Sequence, residues 1–139
     1  MFKKIAVGGT FDHLHEGHKQ VLRTGFSNSG SASIGLTSDE FANRFRAGQV
    51  QPYGDRKKVL DEFLDTLGKP YDIVEINDSY GFATIDPGID SIVVSEETLL
   101  RAQEINTIRF KKGLSRLSII VVPLVLDDAG KPLSSSRED

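Results

Sequence analysis

The chain has 139 residues, which is about the length of one globular domain. Its 17 basic residues against 20 acidic ones give a net charge of −3, and this balance argues against a general nucleic-acid binder, which needs excess positive charge to displace counterions from phosphates. The sequence has no cysteine, no apolar run near the roughly 20 residues of a membrane span and no signal-peptide pattern, so we expect a cytoplasmic protein without thiolate or disulfide chemistry.

Short apolar runs alternate with amphipathic segments along the chain. The first half predicts, in chain order, a strand at residues 2–8, a helix at 17–26 that Gly25 helps to end, a loop at 27–33, a strand at 32–36 and a polar loop with a short helix at 38–52. The second half predicts a helix at 59–67 that Gly68 caps, strands at 73–76 and 92–94, a helix between Ser95 and Gly113, and a strand at 119–122.

This alternation of strands and helices predicts the fold class α/β. Strands that are apolar along their whole length are typical of a parallel sheet whose two faces are both covered by helices. Right-handed crossovers then favour an open, doubly wound sheet of five parallel strands. The sequence shows no internal repeat, low-complexity tract or linker, so we expect residues 1–139 to form a single domain.

The segment from Gly8 to His18 follows the first predicted strand and contains all three histidines of the chain. In a parallel sheet this place is the carboxyl end of a strand, where ligands bind. Two adjacent glycines allow backbone amides to approach a phosphate, and the next helix presents its positive N-terminus there. The histidine spacing also fits a zinc site, and a polar turn without a ligand is a third interpretation. Phosphate binding uses every feature of the segment, Gly17 included.

Residues His15-Glu16-Gly17-His18, which come after Gly9-Thr10-Phe11-Asp12, resemble the His-x-Gly-His signature of the nucleotidylyltransferase superfamily. Residues 131–137 are similar to the serine-rich, arginine-ended nucleotide signature of the same superfamily. With the segments 80–87 and 93–98, these motifs make the chain similar to the archaeal and eukaryotic-type phosphopantetheine adenylyltransferase family over nearly its whole length. The resemblance implies a Rossmann-like nucleotidylyltransferase fold. It also implies transfer of the AMP moiety of ATP to 4′-phosphopantetheine, which yields dephospho-coenzyme A and pyrophosphate.

The resemblance further implies roles for individual residues. His18 and His15 are the expected catalytic residues, because the family's histidines contact the ATP phosphates and stabilise the transition state. The expected ATP-binding residues are Gly8, Gly9, Thr10, Phe11, His15, Gly17, His18, Ser95, Asn106, Arg109, Ser134, Ser135, Ser136 and Arg137. The expected phosphopantetheine-binding residues are Thr10, Asp12, Arg44 and Arg46. We expect Mg²⁺ to arrive with ATP, without a metal site of the protein's own.

Other activities stay open at this point. FMN adenylyltransferases and glycerol-3-phosphate cytidylyltransferases share Gly-Thr-Phe-Asp and His-x-Gly-His, although the sequence lacks the Arg-Thr-x-Gly-x-Ser-Thr-Thr run of the cytidylyltransferases. A non-catalytic nucleotide sensor is the alternative of a different class. The family continues into a helix after its serine motif, whereas this sequence ends at Asp139, so we expect a weakened ATP site. We also expect dephospho-coenzyme A or coenzyme A as product or feedback ligand, and a monomer or weak dimer.

Overall fold

Five parallel strands form one sheet within residues 1–44 and 49–130, the part of the chain that the computed structural model describes. The strands are β1 (Phe2–Gly9), β2 (Ser29–Thr37), β3 (Tyr71–Ile76), β4 (Ser91–Ser95) and β5 (Ser118–Val122). The helices are α1 (Glu16–Ser27), α2 (Asp39–Arg44), α3 (Tyr53–Asp65) and α4 (Leu99–Lys111), and short 3₁₀ turns cover Gly81–Thr84 and Glu96–Thr98. Among the described residues, no helix has the length and apolar character needed to cross a membrane.

The strand order β3-β2-β1-β4-β5 places β1 at the centre of the sheet. Successive residues of β1 face opposite sides, so Ile5 and Val7 pack in one core with α1 and α3, whereas Ala6 packs in a second core with α4. Both faces of the sheet are therefore covered, as strands that are apolar throughout require. The α/β class and the five-stranded parallel sheet expected from the sequence are confirmed.

The prediction of a loop at residues 27–33 is wrong, because β2 begins at Ser29. Phe2 of β1 pairs with Ser29, whose buried hydroxyl donates to the carbonyl of Gly25. The hydroxyls of Ser31 and Ser33 donate to distant residues, the carbonyl of Lys3 (3.1 Å) and the carboxylate of Asp72 (2.6 Å), and local composition does not reveal such partners. Gly25 does not end α1 either, since the helix continues past it and a Cβ added there would lie 2.9 Å from Val93 Cγ1. Glycine at this position permits the close approach of α1 to β4.

The predicted helix ends agree with the structure only in part. The helix expected at 59–67 begins earlier, at Tyr53, because its first turns carry a buried arginine instead of the apolar residues that periodicity detects. Gly68 has a φ of 72° just beyond the end of this helix, in the left-handed conformation expected of a C-terminal glycine. The side chain of Ser95 makes no capping hydrogen bond, and α4 begins only at Leu99, after a 3₁₀ turn.

Asp90, just before β4, ties this strand to the start of β1. Its carboxylate accepts hydrogen bonds from the backbone amides of Lys3 (2.9 Å) and Lys4 (3.2 Å). Burial alone would raise the pKa of this carboxyl, but the hydrogen bonds favour its ionised form and hold the pKa below its ordinary value. Because the pKa is lower in the folded state, ionised Asp90 stabilises the fold above about pH 4, and this contribution is lost as the pH falls below that value.

We therefore expect Asp90→Asn to lower the free energy of unfolding by about 1 kcal/mol near pH 7, since two amides exchange a charged acceptor for a neutral one. The difference between wild type and variant should shrink as the pH is lowered towards about 3. Urea denaturation at several pH values measures both quantities. A difference that stays constant with pH would show that the charge of Asp90 does not matter.

Candidate functional site

A cavity of about 680 Å³ opens at the carboxyl ends of the central strands. The strand order reverses between β1 and β4, since the chain places β2 and β3 on one side of β1 and then β4 and β5 on the other. Such a switch point leaves a crevice, because the connections from the two strands run in opposite directions. The cavity is lined by residues of β1, β2, β4, α1 and α4, together with the segment that follows β3.

Two histidines at the N-terminus of α1 line this cavity and also cap the helix. The Nδ1 atom of His15 accepts hydrogen bonds from the backbone amides of Gly17 (3.0 Å) and His18 (3.4 Å). The Nδ1 atom of His18 accepts in turn from the amide of His15 (3.3 Å). This arrangement is a capping box in which imidazole nitrogens replace the usual side-chain oxygens.

The capping bonds decide which ring nitrogen carries the proton. A neutral imidazole has one donor and one acceptor nitrogen, and Nδ1 is the acceptor in both rings. The proton therefore lies on Nε2 of His15 and of His18, so each ring is a hydrogen-bond donor at its far end. Protonation of either ring would place a hydrogen on Nδ1 and break the cap. The geometry suits two neutral donors better than a general base.

Packing holds the two rings in place. The rings of His15 and His18 are stacked, with centroids 3.8 Å apart and planes inclined by 15°. The ring of Phe11 meets His18 edge-on, with its centroid 5.3 Å away. Phe11 is buried and has a φ of 50°, uncommon for a bulky residue, and a Cβ added to Gly9 would lie only 3.1 Å from its ring. The strained turn after β1 thus sets the position of His18.

The residues expected to bind ATP occupy different places. Those that line the cavity are Gly8, Gly9, Phe11, His15, Gly17, His18 and Ser95. Thr10 lies between two of them, is partly exposed and accepts a hydrogen bond from the hydroxyl of Thr37 (3.0 Å). The residues of the serine-rich motif lie outside the described part of the chain, and their expected role stays a prediction. These residues are Ser134, Ser135, Ser136 and Arg137.

Asn106 and Arg109 have hydrogen-bond partners within the protein, and their expected contact with ATP stays a prediction. The carboxamide of Asn106 donates to the Leu117 carbonyl (3.0 Å) and accepts from its amide (2.7 Å). The guanidinium of Arg109 is 1% exposed and donates to the carbonyls of Ser115, Ala83 and Asp86 at 2.8, 2.9 and 2.8 Å. Burial lowers the pKa of this guanidinium. Both side chains join α4 to the segments around it.

The residues expected to bind 4′-phosphopantetheine are also divided. Asp12 is wholly buried and its Oδ1 accepts from the amide of Gln51 (3.0 Å), so this carboxylate anchors the loop after β1 instead of facing a substrate. Arg44 is exposed on α2, where its guanidinium lies 3.5 Å from the Glu40 carboxylate and 5.9 Å from the ring of Phe41, a cavity residue. Arg46 lies outside the described residues. The roles of both arginines stay predictions.

Part of the cavity lining consists of side chains to which the sequence analysis assigns no role in the site. The hydroxyl of Tyr80 donates to the Glu104 carboxylate (2.9 Å), which raises the pKa of Tyr80, and the Arg101 guanidinium lies over the tyrosine ring at 5.3 Å. All three residues line the cavity. The rule that ligands bind beyond the ends of parallel strands would have pointed to Thr37 and to the segment after β3. No comparable signal marks the residues of α4.

The charge around the cavity is mixed: the Arg101 guanidinium lies 3.6 Å from the Glu104 carboxylate, and Asp78 and Glu97 also line the cavity. The described residues contain no cluster of three or more histidine, aspartate or glutamate side chains arranged to hold a metal ion. The zinc interpretation is also at odds with the histidine caps, which use Nδ1 of two rings for backbone amides. Attraction for an anion therefore has to come from the N-terminus of α1 and from single donors.

The sequence matches the cytidylyltransferase-like family over residues 6–137. It is 41% identical over 138 residues to a phosphopantetheine adenylyltransferase of Methanopyrus kandleri, a match that covers 98% of this chain and 88% of the relative. It is 45% identical over 137 residues to a phosphopantetheine adenylyltransferase of Pyrococcus horikoshii, covering 97% and 87% of the two chains. The crystal structure of a protein of unknown function from Archaeoglobus fulgidus superposes with a TM-score of 0.76 at 33% identity, over 86% of this chain and 88% of that one.

Proposed function

Because the chain belongs to the cytidylyltransferase-like family and, within it, to the phosphopantetheine adenylyltransferases, we propose that it transfers the adenylyl group of ATP to 4′-phosphopantetheine. The products are dephospho-coenzyme A and pyrophosphate. One observation carries this proposal: His15 and His18 cap the N-terminus of α1 through Nδ1, so that Nε2 is the donor of each ring, and both residues line the cavity at the switch point of the sheet. Nucleotidyl transfer needs such donors where charge accumulates on a phosphate.

The proposed reaction requires no base to activate the nucleophile. The phosphate monoester of the acceptor is largely dianionic near neutral pH, since its second pKa is about 6. One of its oxygens attacks the α-phosphorus of ATP, the bond from that phosphorus to the β-bridging oxygen breaks, and pyrophosphate leaves with the electron pair. The Nε2 donor of His18 stabilises the charge that builds up on the α-phosphate oxygens, and that of His15 binds the neighbouring phosphates.

Magnesium enters this scheme as part of the substrate, bound to the ATP phosphates, which is consistent with the usual coordination of this ion by phosphates and water. Both substrates are anions while the chain carries a net charge of −3, so the attraction is local. We assign it to the amides after Gly9 and to the N-terminus of α1. A cysteine-free chain suits the reducing cytoplasm, where we place the reaction.

A pyrophosphate-release assay tests the proposal. ATP and CTP are each paired with 4′-phosphopantetheine, FMN or glycerol 3-phosphate in the presence of Mg²⁺, and reactions without acceptor control for simple hydrolysis. We expect release only with ATP and 4′-phosphopantetheine, with one dephospho-coenzyme A formed per pyrophosphate. Turnover only with CTP, or only with FMN, would overturn the substrate assignment. Binding of ATP without turnover of any pair would favour the nucleotide sensor.

A further inference from the structure

A chain of hydrogen bonds runs from the core to the edge of the cavity. Arg56 of α3 is buried, and its Nη1 donates to the carbonyl of Thr10 (3.0 Å) and to the hydroxyl of Thr37 (3.4 Å). The Thr37 hydroxyl donates in turn to the hydroxyl of Thr10 (3.0 Å). Thr37 is the last residue of β2, is 5% exposed and lines the cavity, whereas Thr10 follows β1 and is partly exposed.

The other partners of Arg56 show that it is an anchor and does not bind substrate. Its Nε donates to the carbonyl of Gln51 (2.7 Å) and its Nη2 to the carboxylate of Asp39 (2.9 Å). The side chain has no exposed surface, so no ligand reaches it. Arg56 therefore holds together the segments that follow β1 and β2 and the segment that precedes α3.

The direction of the chain follows from the chemistry of Arg56. A guanidinium has donors but no acceptor, so Thr37 Oγ1 accepts a hydrogen bond from it. The single hydroxyl proton of Thr37 is then donated in a hydrogen bond to Thr10 Oγ1. Because Thr10 Oγ1 accepts from Thr37, its own proton points elsewhere. Thr37 is buried, whereas Thr10 is partly exposed and lies in the chain between Gly9 and Phe11, which both line the cavity.

We propose that Thr37, held by Arg56, is a positioning residue that makes the Thr10 hydroxyl a one-way donor to a phosphate oxygen of the substrates. This inference rests on the proposed function, in which Thr10 meets the phosphates. A hydroxyl without such a partner rotates freely and has to be ordered when the substrate binds. Hydrogen bonds in series also polarise one another, and this series begins at a cation, so the donor at its end is strengthened.

Three variants test this hydrogen-bond relay, which runs from Arg56 through Thr37 to Thr10, in a double-mutant cycle. Thr37→Val keeps the shape of the side chain and removes its hydroxyl, Thr37→Ser keeps the hydroxyl, and Thr10→Val removes the recipient. With magnesium-ATP and 4′-phosphopantetheine, we expect Thr37→Val to lower kcat about 10-fold and Thr37→Ser to stay within about 3-fold of wild type. In the Thr10→Val background, Thr37→Val should lower kcat by no more than about a further 2-fold, because the Thr10 hydroxyl that Thr37 positions is then absent.

A purely structural role of Thr37 would depend neither on Thr10 nor on the hydroxyl. Additive losses in the double variant, or equal losses in Thr37→Ser and Thr37→Val, would therefore overturn the proposal. The same proteins are titrated with magnesium-ATP and with 4′-phosphopantetheine by calorimetry. A wild type that binds these ligands without turning them over would sink the proposed function alone. The effects of the Thr10 and Thr37 substitutions on Kd would then still test the relay. If these effects are additive for both ligands, the relay is wrong.

Discussion

Replacing His18 with asparagine is expected to lower turnover by about 100- to 1,000-fold and to leave the fold intact. Oδ1 of asparagine is bonded to Cγ, as Nδ1 of histidine is, so it can accept the amide of His15 and keep the helix cap. The Nε2 donor has no counterpart in asparagine. Losing one donor that stabilises developing charge typically costs this factor. Steady-state pyrophosphate release and the unfolding midpoint, measured on one preparation, test both halves of the prediction.

Two matched variants distinguish the loss of the Nε2 donor from the loss of the hydrogen bond that caps the helix. The amide nitrogen of His18→Gln reaches further than asparagine does, so we expect this variant to recover part of the rate while it loses the capping bond. His13→Asn makes the same substitution on a side chain that is 48% exposed in the same loop, at a φ of 50° that asparagine tolerates. Its turnover should stay within about 2-fold of wild type. Wild-type turnover of His18→Asn would contradict the catalytic role.

Arg109→Met is expected to lower the free energy of unfolding by about 3 kcal/mol. Methionine fills most of the space of the arginine but cannot donate to the carbonyls of Ala83, Asp86 and Ser115, which lose their partner. Two of these carbonyls belong to the segment after β3 that forms the cavity wall around Tyr80. Urea denaturation measures the loss, and KM for ATP is measured well below the unfolding midpoint, where we expect it to change little.

Arg116→Met provides the control, because it removes the same charge from an exposed side chain. It should change the free energy of unfolding by no more than about 0.5 kcal/mol. An Arg109→Met protein that is as stable as wild type but has a strongly raised KM for ATP would reverse the assignment. The ligand role expected from the sequence would then be right, and the structural one wrong.

The fold and the centre of the site were predictable because their signals are local. Apolar runs such as residues 5–7 predicted the strands, and alternation with helices predicted a parallel sheet. The turn at Gly8 and Gly9 and the capping histidines, His15 and His18, lie within a few residues of each other, so no knowledge of the fold was needed to bring them together. Proximity along the chain was sufficient evidence of proximity in space.

The partners of Asn106 and Arg109 are a feature that local patterns do not reveal. A polar residue on an amphipathic helix looks the same in sequence whether it faces a ligand or a buried carbonyl. The partners of Arg109 come from the segment after β3 and from the loop before β5, and they meet only in the folded chain. The start of β2 at Ser29 was missed for the same reason, because its strand neighbour, Phe2, lies in β1.

By itself, the sequence determined the α/β class, the succession of strands and helices, and the histidine turn after β1, since these depend on periodicity and on adjacent residues. Only the tertiary structure decided which distant side chains meet at the cavity. Thr10 and Thr37 are separated by 27 positions and Arg56 and Thr10 by 46, and strand order and helix packing bring them into contact. The physical reason is that a hydrogen-bond partner is chosen by its place in space, and that place is set by the packing of the whole sheet.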